Sequence, residues 1–374
     1  MYYFCADKKR NKVKKIILFL LFLLPVSLSA QQFLWCVDVD MRFDNREYGK
    51  SPYNWPQTIF GGYINPLVGL GWRGNSIQVG ATALRNFGAP ARDTEFNFLF
   101  FYNYHDSRFN VSAGIIPRRQ VIGGSEAFFN DSIKFFDNTI DGLLLQYRHD
   151  NDYVELFCDW DGHQTETARE RFIVYSSGRY YPLPWLFGEY EFMMHHHAGT
   201  SLEGEVVDNV WLYPRIGVDF AKRLWFDKLR LSVGWIHSFQ NDRAYVGRYV
   251  KPHGLQVEAR IEKYKIGLYN TLFVGNGMMP YYKAYGSSLY TGDAFYRTRD
   301  NVYNRLEAYW YPFQNEKFDL KVSTVHHFDG VKWNSQQLIT FNVLIDNDMF
   351  KKDSSVRKQL RLRRNKRALE ATPQ

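Results

Sequence analysis

"IGVDFAKRLWFDKLRLSVGWIHSF", Ile216–Phe239, sets an apolar residue at every second position, pauses at Trp-Phe-Asp, and then resumes the same alternation. A period of two describes a strand with one apolar and one polar face. Read outward from this stretch, the chain divides into sixteen such segments. They are 33–43, 60–72, 75–85, 94–105, 108–117, 139–149, 152–161, 170–178, 186–199, 209–223, 227–239, 253–262, 264–274, 302–312, 317–327 and 335–345. Most have the length of about 9–11 residues that a tilted strand needs to cross a hydrocarbon layer.

The parity is cleanest at the two ends. Phe33, Trp35, Val37, Val39, Met41 and Phe43 share one face, against Asp38, Asp40 and Arg42 on the other. Ile339, Phe341, Val343 and Ile345 line up likewise. The polar faces mix charges of both signs, as a water-filled lumen requires and a soluble sandwich or propeller does not. Connections alternate between short ones, such as "WRGNS" and "EKYK", and long ones, such as 118–138 and 275–301. Short turns on one rim and long loops on the other is the layout of an outer-membrane barrel. Aromatic residues mark the short turns, among them Trp72, Tyr153, Trp225, Tyr264, Tyr311 and Phe313, as a headgroup-level girdle would. Lipid cannot satisfy an open strand edge, so the sheet must close. The expected fold class is therefore all-β: a closed antiparallel transmembrane β-barrel of about sixteen strands, with fourteen or eighteen as alternatives.

The first thirty residues carry six Lys/Arg, the apolar run "IILFLLFLL" and then "SLSA", the layout of a secretory signal peptide over 1–30. The chain's formal charge of +8 resides in its ends. Residues 350–374 hold nine Lys/Arg against two acids, and residues 31–349 are left at −4. The barrel region is mildly acidic, so nucleic acid is not an expected partner. The basic end reads as a disordered periplasmic tail. Of the three cysteines, Cys5 falls in the signal segment; Cys36 points inward and Cys158 outward, which disfavours a bond between them.

On these features residues 31–349 resemble bacterial outer-membrane β-barrels of the porin type. That resemblance implies passive diffusion of small hydrophilic solutes. It also implies residence in the outer membrane, lipid and the barrel-insertion machinery as partners, a monomer or a homotrimer as the assembly, and a third long loop folded into the lumen. The corresponding stretch here is 118–138, and its Gly123-Gly124 pair permits a sharp inward turn. The chain departs from the pattern in running past Phe350 instead of ending on an aromatic residue.

Selectivity in such a channel resides in charged groups at its narrowest point. The candidates on the loop are Arg118, Arg119, Glu126, Asp131, Lys134 and Asp137, facing Asp40, Arg42, Arg215 and Arg305 on the wall. Sugar rings present C–H faces to aromatic groups, which makes Phe128, Phe129, Phe135, Phe136, Tyr281, Tyr282 and Tyr285 candidate stacking positions. His195 and His197 share a face with Glu189 and Glu191, and His326-His327 form a second pair, but no spacing assembles a metal set. There is no G-x-S-x-G element. The expectation is a non-enzymatic barrel without catalytic residues, metal or cofactor. Polysaccharide export or anchoring, or a barrel-embedded hydrolase, are the alternatives.

Overall fold

The computed structural model describes residues 32–347 except 50, 203 and 316. The signal segment 1–30 and the basic tail 350–374 lie outside the described residues. The strands are β1 (Gln32–Glu47), β2 (Gln57–Trp72), β3 (Asn75–Asn86), β4 (Glu95–His105), β5 (Phe109–Pro117), β6 (Thr139–His149), β7 (Asp152–Gly162) and β8 (Arg171–Leu183). They continue as β9 (Leu186–His197), β10 (Val207–Asp219), β11 (Lys228–Asp242), β12 (His253–Lys263), β13 (Ile266–Gly275), β14 (Val302–Gln314), β15 (Phe318–Phe328) and β16 (Trp333–Asp346). Each pairs antiparallel with its sequence neighbours, and β1 pairs with β16 from Cys36–Asp346 to Glu47–Ser335, closing the sixteen-stranded barrel. Closure leaves no sheet edge to be desolvated in lipid.

Side-chain parity follows the two solvents. Asp38, Arg42 and Asp44 are buried inside, whereas Phe33, Phe60 and Val68 are exposed on the outer surface. The tightest turns are built from left-handed residues, Arg73-Gly74 and Tyr264-Lys265, whose twist matches that of the flanking strands. Trp225, Tyr264 and Phe313 are exposed on the turn rim, but Tyr153 and Tyr311 are buried within the barrel and do not belong to a girdle. Both ends of the barrel sequence lie on the rim of the short turns, the rim that outer-membrane barrels keep periplasmic.

One strand ends early. The alternation at 209–223 predicts a strand that runs four residues past the end of β10. The Asp219 carboxylate accepts the Ala221 N–H at 3.1 Å, and a helical turn, Ala221–Leu224, follows.

The lumen is filled. Residues 118–138 and 276–301 enter it, and Phe128, Phe129, Leu289, Tyr290, Phe295 and Tyr296 are buried against Tyr175, Trp211, Phe273 and Tyr303 of the wall. Each such side chain contributes about 1.5–3 kcal/mol by leaving water, so the loops form a second core inside the barrel. A barrel closed outside and packed within resists detergent. The unboiled protein is expected to migrate faster than the boiled one on a denaturing gel; identical mobility would count against closure.

Candidate functional site

The inserted loop is held by charge and by backbone. Its N–H groups at Ile122 and Gly123 donate to Glu155 at 2.7 and 2.5 Å, and that of Ser125 donates to Glu191 at 2.9 Å. Gly123 has no room for a side chain: a Cβ would sit 2.2 Å from the Ser177 hydroxyl. Gly124 has φ +117°, a backbone that side-chain-bearing residues rarely adopt. All ten charged positions singled out in the sequence lie in or facing the lumen, and eight of them take part in ion pairs. Arg118 bridges Asp137 and Asp159 at 2.7 and 2.6 Å, and Arg119 contacts Asp38 and Asp40. Arg42 pairs with Asp44 at 3.1 Å, and Arg215 with Glu189 and Glu191 at 2.6 and 2.7 Å. Arg305 joins Glu307 at 3.1 Å to Asp131 at 3.5 Å. Lys134 reaches the Gly124 carbonyl at 3.5 Å, and Glu126 accepts the Asp131 N–H at 3.1 Å. Removing Arg118 strands a buried carboxylate, Asp159. Arg118→Ala is expected to loosen loop 118–138 by about 3 kcal/mol, read as faster proteolytic cleavage within it; an unchanged rate would show that the aromatic packing alone holds the loop.

The aromatic candidates are engaged with protein. Phe128, Phe129 and Phe135 are buried, and Phe136 packs edge-on against Phe135. Tyr281, Tyr282 and Tyr285 lean on the inner core, and Tyr285 donates to Asp242 at 2.7 Å. The three phenylalanines are therefore sites of packing and offer no open face to a sugar.

Chemistry concentrates instead on the outer wall. On β15, β16 and β1 the residues Val325, His327, Asn334, Gln336, Arg42 and Asp44 are buried on the inner side, so the alternating set faces outward. Strand register arranges that outer set in rungs. Val322, Ile339, Phe43 and Phe60 make an apolar rung. Next, toward the loop side, come Thr324, Gln337, Asn45 and Thr58, and then His326, Ser335 and Glu47. Beyond these, Trp333 faces Phe328. Two polar rungs thus lie between apolar ones, near the rim opposite the short turns.

The polar rungs are bonded to one another. His326 Nδ1 lies 3.1 Å from Ser335 Oγ, and His326 Nε2 lies 3.3 Å from Thr324 Oγ1. One tautomer satisfies both contacts: Ser335 donates to Nδ1 while Nε2–H donates to Thr324. Thr58 donates to Asn45 at 2.8 Å, and Asn45 donates to Gln337 Oε1 at 2.6 Å, which leaves the Gln337 amide hydrogens to point elsewhere. Ser335 opens onto a rim groove of about 590 Å3 shared with Asn45, Arg46, Glu47, Gly49, Thr58 and Trp333. A hydroxyl bonded to an imidazole whose other nitrogen is held is the arrangement of an activated nucleophile. A second serine–histidine approach, Ser288 to His197 at 3.4 Å, lies inside the barrel, and there the hydroxyl is committed to the Tyr285 carbonyl at 2.5 Å.

Sequence reasoning missed Ser335 and treated His326 only as a metal candidate. The available signal was a lapse in parity: outward positions that are apolar at 339–345 turn polar at Gln337 and Ser335, as those of β1 do after Phe43.

Fold and groove together define a sixteen-stranded, porin-type barrel with a filled lumen and a serine–histidine pair on its lipid-facing wall. The chain belongs to the lipid A 3'-O-deacylase-type family, whose family model matches residues 30–352. That membership overturns the expectation of a non-enzymatic barrel, because the family is named for an enzyme. No curated protein matches the sequence. Among solved structures, a loop-deletion mutant of OmpT of Vibrio cholerae is similar at 10% identity and TM-score 0.49, covering 85% of this chain and 100% of that one. OprB of Pseudomonas putida is similar at 9% identity and TM-score 0.49, over 84% and 94% of the two chains. OprD of Pseudomonas aeruginosa follows at 8% identity and TM-score 0.44, over 84% and 93%.

Proposed function

We propose that the protein is an outer-membrane esterase that removes an acyl chain from a saccharolipid of the lipid A type, working at the outer-wall groove. The observation that carries this reading is the Ser335–His326 hydrogen bond on the lipid-facing side of the barrel. An ester in the outer leaflet lies at the boundary between apolar and polar rungs, and Ser335 occupies that boundary. Ser335 Oγ attacks the ester carbonyl while His326 takes its proton. The sugar hydroxyl then leaves with that proton, and water releases the fatty acid from the acyl-serine. The Gln337 amide, on the same face of β16, is positioned to donate to the oxyanion. Family membership supports the same substrate class.

The test is direct. Purified protein in detergent is incubated with lipid A, and the products are weighed by mass spectrometry. The expected product is lipid A lighter by one acyl chain, together with one free fatty acid. Lipid A recovered intact under conditions that keep the barrel folded would remove this function.

A further inference from the structure

A second site lies within the barrel, on the periplasmic side of the inserted loop, and it does not depend on the esterase reading. A cavity of about 270 Å3 is bounded by β1, β2, β15, β16 and residues 117–135. Asn342, Leu344 and Asp319 on its wall are close to the periplasmic ends of their strands. Beyond it, the buried rings of the two loops pack against the wall. The cavity thus lies between that packing and the periplasmic rim.

Its lining carries both signs of charge. Asp38, Asp40 and Asp319 contribute carboxylates, and Arg119, Lys134 and Lys321 contribute cations. Asn65 adds a second and independent observation. Its side chain borders the cavity, the residue is only 2% exposed, and its Oδ1 accepts no hydrogen bond. A buried amide oxygen without a donor costs free energy, and a ligand ammonium supplies that donor. A wholly anionic or cationic molecule meets like charges on one wall, whereas a molecule bearing both signs meets a partner on each.

We infer that this pocket binds a small zwitterion, an ammonium joined to a carboxylate or phosphate, drawn from the periplasm. Its ammonium sits against Asn65 and Asp40, and its anion against Lys134. The volume suits a molecule between an amino acid and a dipeptide.

Cys36 lines the same cavity and supplies the readout. In full-length protein carrying Cys5→Ser and Cys158→Ser, Cys36 is labelled with a small methanethiosulfonate reagent, with and without alanyl-alanine or phosphoethanolamine. Acetate, ethylamine and glucose serve as controls. The expected result is saturable protection of Cys36, at least tenfold in labelling rate, by one or both zwitterions and by none of the controls. Protection by the dipeptide alone assigns a carboxylate ligand, and protection by phosphoethanolamine alone a phosphate one. Asp40→Asn and Lys134→Met each weaken that protection about tenfold or more, while the heat-dependent gel mobility of the closed barrel stays unchanged. Isothermal titration of the same samples guards against a Cys36 that no reagent reaches. Absence of saturable heat with either zwitterion, or equal protection by glucose, overturns the inference.

Discussion

Ser335→Ala lowers deacylation at least a thousandfold while the barrel continues to fold. The expected size follows from the role. Loss of the nucleophile or the base of a serine hydrolase costs up to about a millionfold in turnover, because the residues act as one unit. The hydroxyl removed lies on the outer wall, and its partner His326 keeps its contact with Thr324 at 3.3 Å. No core is disturbed, so closure and heat-dependent mobility are retained. His326→Gln produces a comparable loss, and the double variant is no worse than either single one. Thr324→Val, which only frees the ring to turn, costs less than either, because the base itself remains. The readout is the initial rate of fatty-acid release from lipid A. Full activity in Ser335→Ala would move the chemistry away from this groove. Equal loss from Ser288→Ala, with Ser335→Ala unaffected, would move it to the luminal serine.

Strand order and barrel closure were legible because every strand obeys the same two-solvent rule, and the rule survives in composition. Phe33 through Phe43 against Asp38 through Arg42 is unambiguous without any knowledge of neighbours. The rule fails where local chemistry competes. At Asp219 a side-chain acceptor captured the Ala221 N–H and turned the chain. The groove was less legible for a different reason. Ser335 and His326 are on adjacent strands, so their contact depends on the register between β15 and β16 and not on a sequence spacing. The same holds for the lumen. Phe128 and Phe129 read as open rings on a loop because Tyr175 and Trp211, which cover them, are contributed by distant strands.

The filled lumen sets the second large effect: the wild-type barrel gives no ohmic conductance steps in planar bilayers at neutral pH, and deleting residues 277–299 opens it. Porin-type architecture alone would favour steps, so the two loops decide the outcome. They are joined to each other as well as to the wall. Asn130 N–H donates to the Thr291 carbonyl at 2.9 Å, and Asp293 N–H donates to the Glu126 carbonyl at 2.7 Å. The Thr291 hydroxyl donates to the Phe128 carbonyl at 2.6 Å. At Gly292 a Cβ would lie 2.0 Å from the Ala127 carbonyl, so Gly292→Val separates the loops without shortening either. Glu126 makes the seal sensitive to pH. Burial, and then the neighbouring charge of Asp131, push its carboxyl up from 4.5 to about 8. The docked loops therefore hold a proton that released loops give up, and docking weakens as pH rises between those two values. Across pH 6 to 9 the open fraction rises by roughly one to two orders of magnitude on that linkage. Glu126→Gln, permanently uncharged, abolishes the rise and stays closed at pH 9. Large steps from the wild-type protein at pH 6, or a pH response that survives Glu126→Gln, would mean that these loops do not control the lumen.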